Sequence, residues 1–352
     1  MNGALYVPVR GQFSMSIRQI DITNIGLMIV SFVLALIFPV QLFLFSFAVL
    51  GPLHYLTEIP WLKRKGFFTT NKFDYLYLVG FCAAIGGIHY YTTAAEPTNM
   101  RSLIQLMGIV AFVGFMGALG MTTLKKTWQK YLFMALAGLG SLLFYTSDRF
   151  ASIFANLLPT IVHVFIFTGA FVLYGALRHR SVTGILSLVV YVLCTIFIFT
   201  LQPLAVHNQL SKYVVDNYYF FADLNFDLMN IFGYKGLGPD TTDVDQVLFY
   251  SSAGIIVMRF IAFTYTYHFL NWFSKTSIIK WHETKKPVLA VVFGLWIVSL
   301  VLYVVDFRLA LNVLYGLSLL HVFLEYPLNH RSFIGIGEEI KKLVSGAKVE
   351  TA

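Results

Sequence analysis

Long apolar runs alternate with short polar breaks from about residue 22 almost to the end of the chain. A bilayer core about 30 Å thick takes roughly 20 apolar residues per helix, and runs near that length recur ten times. They cover about 22–38, 40–58, 73–92, 101–121, 130–146, 152–176, 182–203, 247–273, 287–305 and 307–327. Only Pro39 and Gln41 interrupt the first two, in a stretch too long for one crossing, so nine spans is the alternative. The pattern predicts an all-α, polytopic integral membrane helical bundle of about ten transmembrane helices, a single transmembrane domain over 1–352. Its one long connection, 204–246, is rich in Tyr, Phe and Asp and is expected as an outer-side loop, either an ordered loop or an amphipathic lid.

Basic residues give the runs a direction, because Lys and Arg collect in short cytoplasmic loops. With the N-terminus inside, 19 of the 25 Lys and Arg fall on the cytoplasmic face, among them Lys63, Arg64, Lys65, Lys125, Lys126, Lys285 and Lys286. Arg101, Arg149, Lys212, Lys235 and Arg308 fall outside, and Arg259 lies within a span, where pairing inside the bundle is expected. Both termini are therefore expected in the cytoplasm, in a bacterial cytoplasmic (inner) membrane. Arg10 and Arg18 precede no apolar core with a small-residue cleavage site, so the first run is expected to be a retained span.

Composition agrees with this assignment. Hydrophobic residues make up 58% and charged ones only 12%, half the roughly 25% of soluble domains. A net charge of +8 would suggest nucleic acid in a soluble protein, but here the excess lies in loops on one face. The expected partners are the lipid bilayer and a lipophilic small molecule, with no nucleic acid. Cys82 and Cys194 both sit inside apolar runs and support neither a disulfide framework nor a cysteine metal site. Asp223, Asn225 and Asp227 imitate the start of a calcium loop, but Leu228 stands where the turn needs Gly. The runs GFMGALG at 114–120 and ALAGLG at 135–140 are expected to let helices approach closely. Trp61, Trp128, Trp272 and Trp281 are expected as interfacial anchors at cytoplasmic borders.

Ionisable side chains inside spans are costly and usually face a bundle interior. Two segments share one spacing: His54, Glu58, Pro60 and Arg64, then His321, Glu325, Pro327 and Arg331. Residues four apart share a helix face, so each His and Glu can point at one centre, while each Pro is expected to end its helix. His163 and His268 lie in spans of the same direction. A rise of 1.5 Å per residue puts His268, His54 and His321 about 10 to 15 Å below the cytoplasmic border, with His163 deeper at about 22 Å. His54, His163, His268 and His321 are thus candidate metal ligands, with Glu58 and Glu325 as candidate catalytic residues that complete the shell or move protons. Imidazoles and carboxylates from several helices suit iron, with manganese or zinc as alternatives. Each His taken alone is also accounted for by a hydrogen bond to a neighbouring carbonyl or hydroxyl. The glutamates lie near enough to the border to snorkel or to pair with Arg64 and Arg331.

His54 with Glu58, and His321 with Glu325 and His330-Arg331-Ser332, resemble in order and type the membrane-embedded β-carotene dioxygenases of bacteria and archaea, the Brp/Blh type. The likeness covers about forty residues. It implies a non-haem iron held by histidines on separate helices. The chain departs from that family in having Leu53-His54-Tyr55 in place of Pro-His-Gly, in lacking a His-x-x-x-His pair at His268, and in its greater number of spans. The resemblance therefore implies an iron oxygenase more than a carotenoid substrate. The functional expectation is a metal-dependent integral membrane oxygenase acting on a lipophilic substrate. A proton-coupled transporter using the same His and Glu residues, and a non-catalytic membrane component of an assembly complex, are the alternatives.

Overall fold

The computed structural model describes residues 15–95, 98–202, 210–234, 243–275 and 279–345, and among these the regular structure is entirely helical. Helix α1 spans Ile17–Ile37, with Ser16 and Gln19 closing a reciprocal capping box at its start. Phe38 then leaves the helical region at φ −130° and ψ 54°, and Pro39 opens α2, Pro39–Arg64. Proline disfavours helical geometry in the residue before it, so the weakest division in the apolar pattern is a real break between two helices.

The next elements are α3 (Tyr75–Ala95), α4 (Met100–Thr123), α5 (Thr127–Ser141) and α6 (Asp148–Arg178), then α7 (Val182–Thr200). Two short helices follow, α8 (Lys212–Tyr218) and α9 (Ala222–Ile231), and then α10 (Ser252–Ser274), α11 (Lys286–Val305) and α12 (Phe307–Val344). Side chains of Ser147, Ser181, Ser251 and Asp306 cap α6, α7, α10 and α12, satisfying amides that an apolar environment would otherwise strand.

Eight of the described helices, α1, α2, α4, α6, α7, α10, α11 and α12, are long and apolar enough to cross a membrane. The other two expected spans also form helices but differ in kind. α3 has 21 residues, yet its last third carries His89, Tyr90, Tyr91, Thr92 and Thr93. α5 has 15 residues, followed by a 3-10 turn at Leu142–Phe144, so its axis rises only about 22 Å. The connection 204–246 contains α8 and α9 where it is described, and α9 packs against α10.

α10 forms the axis of the bundle, buried along nearly its whole length. α1, α2, α6 and α7 pack around it, while α12 packs against α2, α3, α4, α6 and α11. Two large apolar cores result, one around α10 and one around α12, with a small third cluster of Tyr55, Leu56 and Val292 between α2 and α11. By contrast α11 turns Val291, Leu295, Val298 and Val301 outward, as a bilayer-facing helix does.

Both prolines expected to end their helices lie inside them. α2 continues past Pro60 to Arg64 and α12 past Pro327 to Val344. A proline removes one backbone donor, and here neighbouring helices hold the chain in line, Pro327 being itself buried. The glycine runs act in part as expected. A Cβ on Gly114 would meet the Phe323 ring at 2.6 Å, which makes glycine necessary where α4 crosses α12, whereas one on Gly140 would meet nothing within 4 Å.

Candidate metal centre

Each of the four candidate histidines lies on a different central helix, His54 on α2, His163 on α6, His268 on α10 and His321 on α12, and all four are buried. Before His54, α2 passes through a π-helical turn at Ser46–Leu50. There Ser46 Oγ lies 2.7 Å from Thr266 Oγ1 in a hydrogen bond that ties α2 to α10. Gly51 lets the two helices close up, since its Cβ would stand 3.3 Å from the Phe269 ring. α6 carries π-type hydrogen bonding over Ser152–Phe167, with Pro159 inside it and His163 near its end. Such re-phased turns are frequent at functional sites because they redirect side chains.

The result is a compact ring of imidazoles. Ring centres lie 4.8 Å apart for His54 and His268, 4.8 Å for His163 and His268, 5.2 Å for His163 and His321, and 5.3 Å for His54 and His321. His54 Nε2 and His268 Nε2 are 3.2 Å apart. Donor atoms of His54, His163 and His321 all fall within 4.8 Å of one another. Nitrogens that share one cation at about 2.1 Å lie roughly 3 to 4 Å from each other, so the buried triad could hold a metal ion once its donor atoms draw together by up to about 1 Å.

Both glutamates join the ring, but not as two equivalent pairs. Glu58 Oε2 is 3.1 Å from His54 Nε2 on its own helix, whereas Glu325 Oε2 lies 3.4 Å from His163 Nδ1 across a helix interface. Glu58 is 1% exposed and Glu325 3%, which removes snorkelling. Nor do they meet the nearby arginines: Arg64 donates to the Lys280 carbonyl, and Arg331 stacks over the Phe68 ring.

Among the described residues, His54 Nδ1, both nitrogens of His163 and of His321, Glu58 Oε2 and Glu325 Oε2 have no hydrogen-bond partner. The two short His to Glu approaches lack hydrogen-bond geometry. Buried polar atoms are nearly always satisfied. Each imidazole can turn one nitrogen to a shared point, so one nitrogen each from His54, His163 and His321, with Glu58 Oε2 and Glu325 Oε2 beside them, fits a bound cation. Nitrogen and oxygen donors of this kind hold iron, manganese or zinc alike.

Several residues that support the ring carried no signal in the sequence. Thr168 Oγ1 bonds His268 Nδ1 at 2.7 Å; an Nδ1–H donated to that oxygen leaves the Nε2 lone pair facing the ring. Tyr55 stacks on His321, with ring centres 5.6 Å apart. Trp272 stands edge-on to His54 at 5.4 Å and donates to Thr57 Oγ1, while Trp61 packs against Trp272. Trp61 and Trp272 are thus buried beneath the histidines and are not the interfacial anchors expected, unlike exposed Trp128. Arg259 is buried and reaches the Leu201 carbonyl, with no carboxylate partner among the described residues.

A cavity of about 1070 Å³ leads to the ring. His163, His321 and Tyr55 lie at its inner end, and Arg101, Asp148 and Arg308 line its mouth at one end of the bundle. His89, from α3, lies on the wall and stacks on Tyr315 at 4.1 Å. His330 is outside the ring and bonds the Phe115 carbonyl.

Compared with family models, with curated proteins and with solved structures, the chain finds no match in any of the three, so its function is argued from this geometry alone.

Proposed function

We propose that the chain is a metal-dependent integral membrane enzyme, a non-haem iron oxygenase acting on a lipophilic substrate in a ten-span bundle with both termini in the bacterial cytoplasm. One observation carries the reading: imidazoles with unpartnered nitrogens form the floor of a cavity large enough for a lipid-sized molecule. His54, His163, His268 and His321 would hold the metal, and Glu58 and Glu325 would complete its surroundings or hold a proton beside it. A bound iron would supply oxygen activation. The cavity's aromatic walls, including Phe47, Tyr265 and Phe269, would receive an apolar chain and exclude water. Trp61 and Trp272 fill the space on the far side of the ring, an arrangement that favours a closed reaction site over a transport pathway. The resemblance of the His and Glu segments to membrane carotene dioxygenases supports the same class of chemistry.

The test is elemental analysis of the purified protein together with oxygen uptake on addition of candidate lipids. About one or two iron ions per chain and lipid-dependent uptake are expected. A protein that is active in its host yet takes up no iron, manganese or zinc would overturn the reading, and the same residues would then be examined as a proton relay.

A further inference from the structure

The cavity has a direction and a length. Along α12 the residues facing it, Arg308, Leu311, Tyr315, Ser318 and Val322, recur every three or four positions, the stripe of one helix face. Ser152, Ala155, Asn156, Pro159 and His163 form a matching stripe along α6. The cavity is therefore a shaft that follows two helices from a polar mouth to the histidines. From Arg308 to His321, thirteen residues on one unbroken helix, the axial rise is about 20 Å.

Three carboxylates, Asp148, Asp223 and Asp227, and two arginines, Arg101 and Arg308, line the cavity. Asp148 is paired with Arg101, and Asp227 accepts from Ser152 at 2.8 Å and from Asn156 at 2.7 Å. Arg308, on the same wall, has no carboxylate partner among the described residues. Between mouth and floor the wall is aromatic, with Phe221, Tyr265, Phe269 and Tyr303.

Resting on the reading of the histidine ring as the reaction site, we propose that its substrate is a single-chain amphiphile with an anionic head. The head sits at Arg308 and the chain runs down the shaft, so that the position attacked is far from the head. Tetrahedral carbon geometry advances about 1.25 Å per bond, and the shaft therefore spans about 16 bonds, which places the methyl end of a long acyl chain against His163 and His321. A headless hydrocarbon would leave the cation at the mouth unused.

Photo-crosslinking tests this without turnover. Palmitate carrying a diazirine either beside its carboxylate or at its methyl end is irradiated with the protein in lipid nanodiscs, and the labelled residues are found by mass spectrometry. The head-end probe should label Asp148–Ser152 and Arg308–Asn312, and the methyl-end probe Tyr55, Pro159–His163 and Ser318–Val322. Competition by palmitate and by hexadecyl phosphate distinguishes a free acid from a phosphate lipid as the source of the head, and hexadecanol should compete poorly. Arg308→Gln should weaken capture of the palmitate probe about fivefold, Arg308→Lys should restore it, and neither should change metal content. Reversed labelling, labelling confined to the outward face of α11, or equal competition by hexadecanol would overturn the proposal. Repeating the labelling after chelation separates the two readings: the expected pattern on a protein that never binds metal would sink only the enzyme, and a metal-bound protein with the wrong pattern would sink only this assignment.

Discussion

Imidazoles in an apolar interior need partners, and most nitrogens of the ring have no hydrogen-bond partner among the described residues. Removing one should cost the cage its grip on metal. His54→Ala and His321→Ala are each expected to strip most of the bound metal, while His89→Ala, on the cavity wall beside Tyr315, should not; metal content per chain by elemental analysis decides it. Glu58→Gln and Glu325→Gln test the carboxylates in the same assay, where replacing an oxygen that touches the cation is expected to cost more metal than replacing one that only orients an imidazole. Thr168 offers a finer test. Its hydroxyl meets His268 Nδ1 at 2.7 Å, so Thr168→Val should weaken metal binding by about tenfold through loss of imidazole orientation, and Thr168→Ser should preserve it. Competitive chelator titration measures both, and equal affinity in wild type and Thr168→Val would show that the hydroxyl merely fills space.

Helix contacts hold the four imidazoles in register, and α4 shows how tight those contacts are. Gly114 lies against Phe323 on α12, two residues from His321, with only 2.6 Å available to a Cβ. Gly114→Leu must push the helices apart and is expected to destabilise the protein by about 1 to 3 kcal/mol, visible as a lowered melting temperature in detergent. Gly140→Ala on α5, where nothing stands within 4 Å, should be neutral or slightly stabilising because alanine favours the helix. If both variants melt alike, the α4 and α12 crossing is looser than its geometry states.

Taken as a whole, the bundle has a polar cavity mouth at the end bearing Arg101, Asp148 and Arg308, and clustered lysines at the other end of the same helices. Single cysteines at Asp148 and Arg308 should react with a membrane-impermeant thiol reagent from one side, and cysteines at Lys126 and Lys285 only from the opposite side. Native Cys82 and Cys194 are buried and should give little background. Tags at residues 1 and 352 are expected on the same side as Lys126; tags reporting opposite sides would mean an odd number of crossings and exclude the ten-span arrangement.

Hydropathy made the helices readable because a bilayer-sized helix must be apolar along its own length, whatever it packs against. Even the break at Phe38 follows from a local rule about proline. Four histidines were singled out for a similar reason, since an ionisable group in an apolar run is conspicuous without knowledge of its neighbours. The pairing of Glu325 with His163 was not readable, because the repeated His and Glu spacing describes one helix face and says nothing about which helix lies opposite. The same limit hid Thr168, the burial of Trp61 and Trp272, and the shaft from Arg308 to His321, all of which arise where side chains distant in sequence meet. Pro60 and Pro327 mark the boundary between the two kinds of information: a proline weakens a helix locally, but whether the helix ends there depends on the packing that holds both sides in line.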